Sequence, residues 1–168
     1  MTEIPSEADN NLIILSGLDA FTKHSIQLVE QANRHVYILS QHLDFPLYDN
    51  PDFESALSTL ARNDRNAEVR ILVKNIRPLL ERNHSLLELA RRLPSKIKVR
   101  RLLIEPENDE RAYLIGDRSL LLYKHDDSEY SGFANYDAGP EVLKIMEEFD
   151  YLWQRQSAED AELRILSL

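Results

Sequence analysis

Cysteine is absent from the 168 residues, which removes disulfide frameworks, thiolate nucleophiles and cysteine-type zinc sites together. Glycine is scarce, at four residues, and none of them builds a phosphate-binding Walker loop, a dinucleotide fingerprint or an acetyl-CoA loop, so no cofactor is expected. No apolar run approaches the roughly 18 residues of a membrane-spanning helix. The opening ten residues are acidic and polar, unlike a signal peptide, and the expectation is a cytoplasmic protein with no membrane partner. Positive charge is outweighed, with 20 Lys and Arg against 29 Asp and Glu and a net charge of -9. Because duplex binding depends on clustered cations that neutralise phosphates, this balance predicts no nucleic-acid partner.

What is present fits an ordinary globular chain, 43% hydrophobic and 29% charged, long enough for one core. Residues 12 to 15, Leu-Ile-Ile-Leu before Ser16 and Gly17, predict a buried strand. A helix follows from about Asp19 to Asn33, with Phe21, Leu28 and Ala32 on one face and His24 beside them as a packed histidine. Residues 35 to 41 have the β-branched and aromatic content of a strand. Asn50-Pro51-Asp52 combines a capping side chain, proline at the first helical position and an acid at the positive end of the helix dipole. Glu68 to Lys74 reads as a strand, and Leu79 to Leu93 as a helical region ended by Pro94 and broken near Asn83.

A basic strand over 96 to 104 would put Lys96, Lys98 and Arg100 on one face, either as a guarded solvated face or as an anion or partner site. Residues 111 to 115 and 119 to 123 predict a hairpin around Gly116-Asp117-Arg118. Lys124 to Glu129 reads as an exposed loop and 130 to 136 as a last strand. Gly139-Pro140 opens a helix whose stripe, including Val142, Phe149 and Trp153, is core or dimer surface. The order predicts an α/β fold, a mixed sheet flanked by helices, over residues 11 to 156. Residues 1 to 10 and 157 to 168 are expected as a flexible N-terminus and a loose tail.

The stretch Glu110-Arg-Ala-Tyr-Leu-Ile-Gly-Asp117, with Ser131, Gly132 and Asn135 after it and a terminal helix carrying Phe149 and Trp153, resembles one half of the phospholipase D superfamily. Active members carry His-x-Lys and then, after four intervening residues, Asp, so the resemblance places Glu110 at the histidine, Ala112 at the lysine and Asp117 at the aspartate. In such members two halves pair; one histidine attacks phosphorus, the other protonates the leaving oxygen, and lysines stabilise the transition state. Here Glu110 would repel a phosphodiester and Ala112 supplies no charge. Arg111, as a strand neighbour, would point to the opposite face. The resemblance therefore implies a hydrolase lineage without its chemistry and no catalytic residue. A lone half also implies a homodimer. The chain is similar, too, to a bacterial domain sometimes joined to acetyltransferase domains, which implies an acetyltransferase or another protein as a possible partner.

Ligands of α/β sheets sit beyond the carboxyl ends of strands, which points to Gln41, His42 and Asn75; the resemblance adds Ser131 and Asn135. His42 with Asp44, and His125 with Asp126 and Asp127, could in principle bind a metal, but a catalytic zinc site normally takes three protein ligands and both groups read as solvated loops, so no metal is expected. Three functions follow: a non-catalytic phospholipase D-like module with a binding or regulatory role, a divergent phosphoesterase with a relocated site, or a structural homodimeric domain.

Overall fold

A computed structural model describes residues 12–103 and 110–164. The expected N-terminal decapeptide, the acidic spacer 105 to 109 and the last four residues lie outside the described residues. The elements run β1 (Leu12–Ser16), α1 (Leu18–Gln31), β2 (His35–Ser40), α2 (Phe45–Tyr48), α3 (Pro51–Asn63), β3 (Glu68–Val73), α4 (Arg77–Arg82), α5 (Ser85–Arg92) and β4 (Ile97–Leu102). They continue with β5 (Ala112–Gly116), β6 (Leu120–Lys124), β7 (Ser131–Asn135), α6 (Gly139–Arg155), β8 (Ser157–Ala158) and α7 (Ala161–Arg164).

All eight strands form one sheet in the order β1-β7-β6-β5-β2-β3-β4-β8. β2, β3 and β4 are parallel, joined by crossovers through helices, and the remaining pairs are antiparallel, so the sheet is mixed. Strand alternation divides the core. Val36, Ile38, Ile71 and Leu122 face α1, α3 and α5, while Tyr37, Leu39, Leu72 and Tyr113 face α6. On the α6 side, Phe149 stacks on Tyr37 with ring centroids 4.9 Å apart, and the guanidinium groups of Arg70 and Arg100 each lie 5.2 Å from the Trp153 ring.

The helix boundaries follow the expected chemistry. Asn50 Oδ1 accepts hydrogen bonds from the backbone N–H groups of Asp52 and Phe53, and the helical region after Ile76 breaks where Asn83 adopts φ 54. Gly17 turns the chain from β1 into α1 at φ 91, a conformation that L side chains rarely adopt. β1 departs from expectation: among the described residues it is an edge strand paired only with β7, and Ile14 stays 76% exposed. The segment after Gln156, expected as a loose tail, instead adds β8 to the outer side of β4 and packs Leu163 into the core.

Candidate functional site

Six residues lie between the ends of the motif-like stretch, Glu110 and Asp117, and the sheet holds those ends apart. β5 runs antiparallel to β2 with Val36 opposite Gly116 and Leu39 opposite Tyr113, so Asp117 lies at the amino end of β2 and Glu110 near its carboxyl end. Asp117 adopts φ 49, and its carboxylate accepts the backbone N–H groups of Asn33, Arg34 and His35 at 2.9, 2.9 and 3.0 Å. It ties the hairpin turn to the start of β2. Glu110 is exposed, and its carbonyl accepts from the backbone of Asp127. Arg111 pairs with Glu148 on α6, on the face away from the buried Ala112.

Ala112 is opposite Lys124 in the β5–β6 ladder, and directly opposed residues share a face. Lys124 is 3% exposed, and its ammonium donates to the Asp127 carbonyl at 2.7 Å and to Asp127 Oδ1 at 3.2 Å. The other oxygen, Oδ2, accepts from Ser40 Oγ at 3.1 Å and from the Gln41 backbone N–H at 2.6 Å. Ser40 Oγ itself accepts from Leu43 N, which leaves its proton free for Asp127. A buried carboxylate and a buried ammonium are thus both paired and hydrogen-bonded, the condition under which burial of charge is tolerated.

The surrounding loop is held under strain. Leu43 is fully buried at φ 57, an uncommon region for a branched side chain, with its carbonyl 3.0 Å from His84 Nε2. His84 Nδ1 accepts from Leu86 N, so the ring is neutral with its proton on Nε2. Burial, reinforced by Arg82 and His42 and opposed by Asp49 and the Leu43 carbonyl, pushes its pKa from 6.5 down to about 4. Tyr130 donates to Asp44 at 2.7 Å and lies under the Lys124 ammonium; burial first, then the Asp44 carboxylate, raise the phenol well above its ordinary range. Burial, Asp127 and Asp44 do the same to Tyr48.

Of the residues predicted to form a pocket, Gln41 and Asn75 meet at the carboxyl ends of β2 and β3, where Asn75 N donates to Gln41 O at 2.7 Å. His42 follows in the same loop, half-buried. Beyond Asn75 lies an open cavity of about 440 Å³, lined by Lys74, Asn75, Arg77 and Arg101 together with Glu81 and Glu162. Ser131 is exposed at the same end of the sheet, on β7, whereas Asn135 sits at the far end of β7 opposite Leu121 and accepts from Asp137 N in a local turn. Asn135 therefore does not join the others.

Sequence reasoning missed Lys124 and Asp127, read as an exposed loop. The available signal was alternation: Leu120 and Leu122 face inward, so Lys124 must as well, and a buried ammonium needs a nearby acid.

The mixed sheet, with helices on both faces and a hairpin turning at Gly116-Asp117, is a phospholipase D-like fold, as solved structures bear out. Nuc from Salmonella typhimurium, a phospholipase D family member, aligns with TM-score 0.61 and 11% identity over 89% of this chain and 98% of its own. Phosphatidylserine synthase of Haemophilus influenzae Rd KW20 aligns at 0.69 and 12%, over 98% of this chain and 41% of its own. TrmBL2, an archaeal chromatin protein described as having a novel mode of DNA binding, aligns at 0.66 and 17%, over 94% of this chain; the chain spans 57% of that protein. No curated protein matches the sequence. The chain belongs to the family described as Domain of unknown function (DUF7931), whose profile matches residues 17–166.

The likeness to TrmBL2 overturns one expectation. Net charge does not exclude a nucleic-acid partner for this chain, because a DNA-binding protein shares the fold, and a sum over the whole surface says little about any one patch. The basic stretch itself is largely spent within the chain. Lys96 donates to the Asp64 and Arg65 carbonyls, Arg92 faces Glu54, Arg100 holds Ser157, and Arg101 pairs with Asp160. Among the described residues, no helix is long and apolar enough to cross a membrane.

Proposed function

We propose that this chain is a non-catalytic phospholipase D-like module whose role is to bind, at the carboxyl ends of β2 and β3 around Gln41, His42 and Asn75. The carrying observation is the pairing of Ala112 with Lys124. The face where the resemblance calls for a lysine does receive an ammonium, from the neighbouring strand, but that ammonium is buried and consumed by Asp127. Glu110, at the histidine position, offers no nucleophile suited to an anionic ester. Purified protein assayed against an aryl phosphodiester, with and without chelator, is expected to match a heat-killed control. Turnover above that control that survives chelation would sink the reading in favour of a relocated phosphoesterase site.

A second reading, nucleic-acid binding, is supported by the likeness to TrmBL2. Fluorescence anisotropy of a labelled duplex between 50 and 200 mM salt tests it. Saturable binding with a clear salt slope counts the phosphates neutralised, and a flat signal discards it.

A further inference from the structure

Three donors from two separate parts of the chain converge on the Asp127 carboxylate: the Ser40 hydroxyl and Gln41 N–H from the end of β2, and the Lys124 ammonium from the end of β6. Together they place a hydroxyl, an amide and a cation around one oxyanion, the donor set that holds phosphate and carboxylate ligands. Asp127 reaches it from a short surface loop. His125, Ser128 and Glu129 on either side of it are exposed, and only the Asp127 side chain dips inward, to 4% exposure.

A buried ion pair is not by itself a stabilising device, since desolvation offsets the attraction; an apolar pair of similar volume would pack as well. The surroundings nevertheless orient each donor. Leu43 N fixes the Ser40 hydroxyl so that its proton points at the carboxylate, and Leu43 does so from a strained conformation that His84 clamps. Such effort suits a site that must present donors to an anion rather than merely neutralise a lysine.

We infer that Ser40, Gln41 and Lys124 form an oxyanion-binding cradle, closed in this state by the chain's own Asp127 carboxylate, and that its exchangeable ligand is a small phosphate or carboxylate group taken up when the 125–129 loop lifts. This rests on the binding reading above and gives that reading a ligand class. The Asp127 carboxylate is a tethered competitor, which keeps the cradle shut to weak ligands.

The test is anion rescue. Asp127→Ala empties the cradle and leaves the buried Lys124 ammonium its bond to the residue-127 carbonyl but no carboxylate partner. Melting is followed in chloride, inorganic phosphate and acetate at equal ionic strength, for wild type, Asp127→Ala, and Asp127→Ala combined with Lys124→Met. Phosphate or acetate is expected to raise the melting temperature of Asp127→Ala by roughly 3–5 °C at ten times Kd, with little effect on wild type and none specific to the double variant. The anion giving the larger shift identifies the ligand chemistry. Should Asp127→Ala fail to fold in chloride, refolding yield in phosphate or acetate against chloride replaces the melt. Equal responses of all three proteins, or equal failure to refold in every salt, would overturn the cradle and leave Asp127 a plain partner of Lys124. Phosphodiester turnover, by contrast, would overturn the non-catalytic reading without touching the cradle, so the two failures are distinguishable.

Discussion

His84 is the residue whose state is most sharply set by its surroundings. Its Nδ1 must accept from Leu86 and its Nε2 must face the Leu43 carbonyl, so only the neutral ring fits. With a folded pKa of about 4 against an ordinary 6.5, the unfolded chain takes up the proton first as pH falls. Stability from this residue is complete above about pH 6.5 and declines through the window down to about 4, by up to roughly 3 kcal/mol. Urea unfolding of wild type and His84→Asn, which keeps a capping acceptor, is expected to diverge in pH slope across that window. Parallel slopes would show that His84 carries none of the acid sensitivity. At this scale the sequence was legible where a residue acts locally: Asn50 caps the helix it precedes, and Asn83 breaks one. It was illegible where the partner is remote. Asp117 was recognisable as a motif position, but its receptor, the N–H groups of residues 33 to 35, lies more than 80 residues away in the chain. Asp127 was hidden among polar neighbours that do lie in solvent.

At the scale of elements, the long periodic segments were readable because their apolar spacing matches the face they bury. α6 from Gly139 with Val142, Phe149 and Trp153 inward, and the β5–β6 hairpin, both fall where the pattern puts them. Elements of two to four residues, α2, β8 and α7, carry too little periodicity to be seen. Charged composition also misled, because Arg100 and Arg101 near the end of β4 serve to hold Ser157 and Asp160 of the segment that covers it. One element contact has a single permissible residue. A Cβ on Gly132 would lie 1.8 Å from the Tyr123 carbonyl oxygen and 2.9 Å from its carbon, and backbone atoms within the β6–β7 ladder cannot withdraw. Gly132→Ala is expected to cost about 3 kcal/mol or more, against a near-neutral Ser131→Ala one residue earlier on the exposed side. Chemical denaturation of both variants measures this, and a Gly132→Ala midpoint like that of wild type would mean that β7 can shift in register without loss.

Across the whole molecule, the mixed eight-stranded sheet makes the two edges unlike each other. β4 is covered by β8 and the segment after it, whereas β1 ends the sheet with nothing beyond it among the described residues. The α/β class was readable from element order, but which strand would be an edge was not, because Leu-Ile-Ile-Leu has the composition of a buried strand and only the pairing with β7 reveals its position. That edge lacks the usual guards against further pairing: β1 contains no lysine, no proline and no glycine. Ile14, at 76% exposure, is its most exposed large apolar side chain, opposite Phe133 on β7. Ile14→Lys is therefore expected to leave unfolding stability within about 0.5 kcal/mol of wild type while lowering light scattering on concentration or mild heating. A marked loss of stability would show that Ile14 packs more than its exposure implies. Unchanged scattering would show that the β1 edge does not drive association.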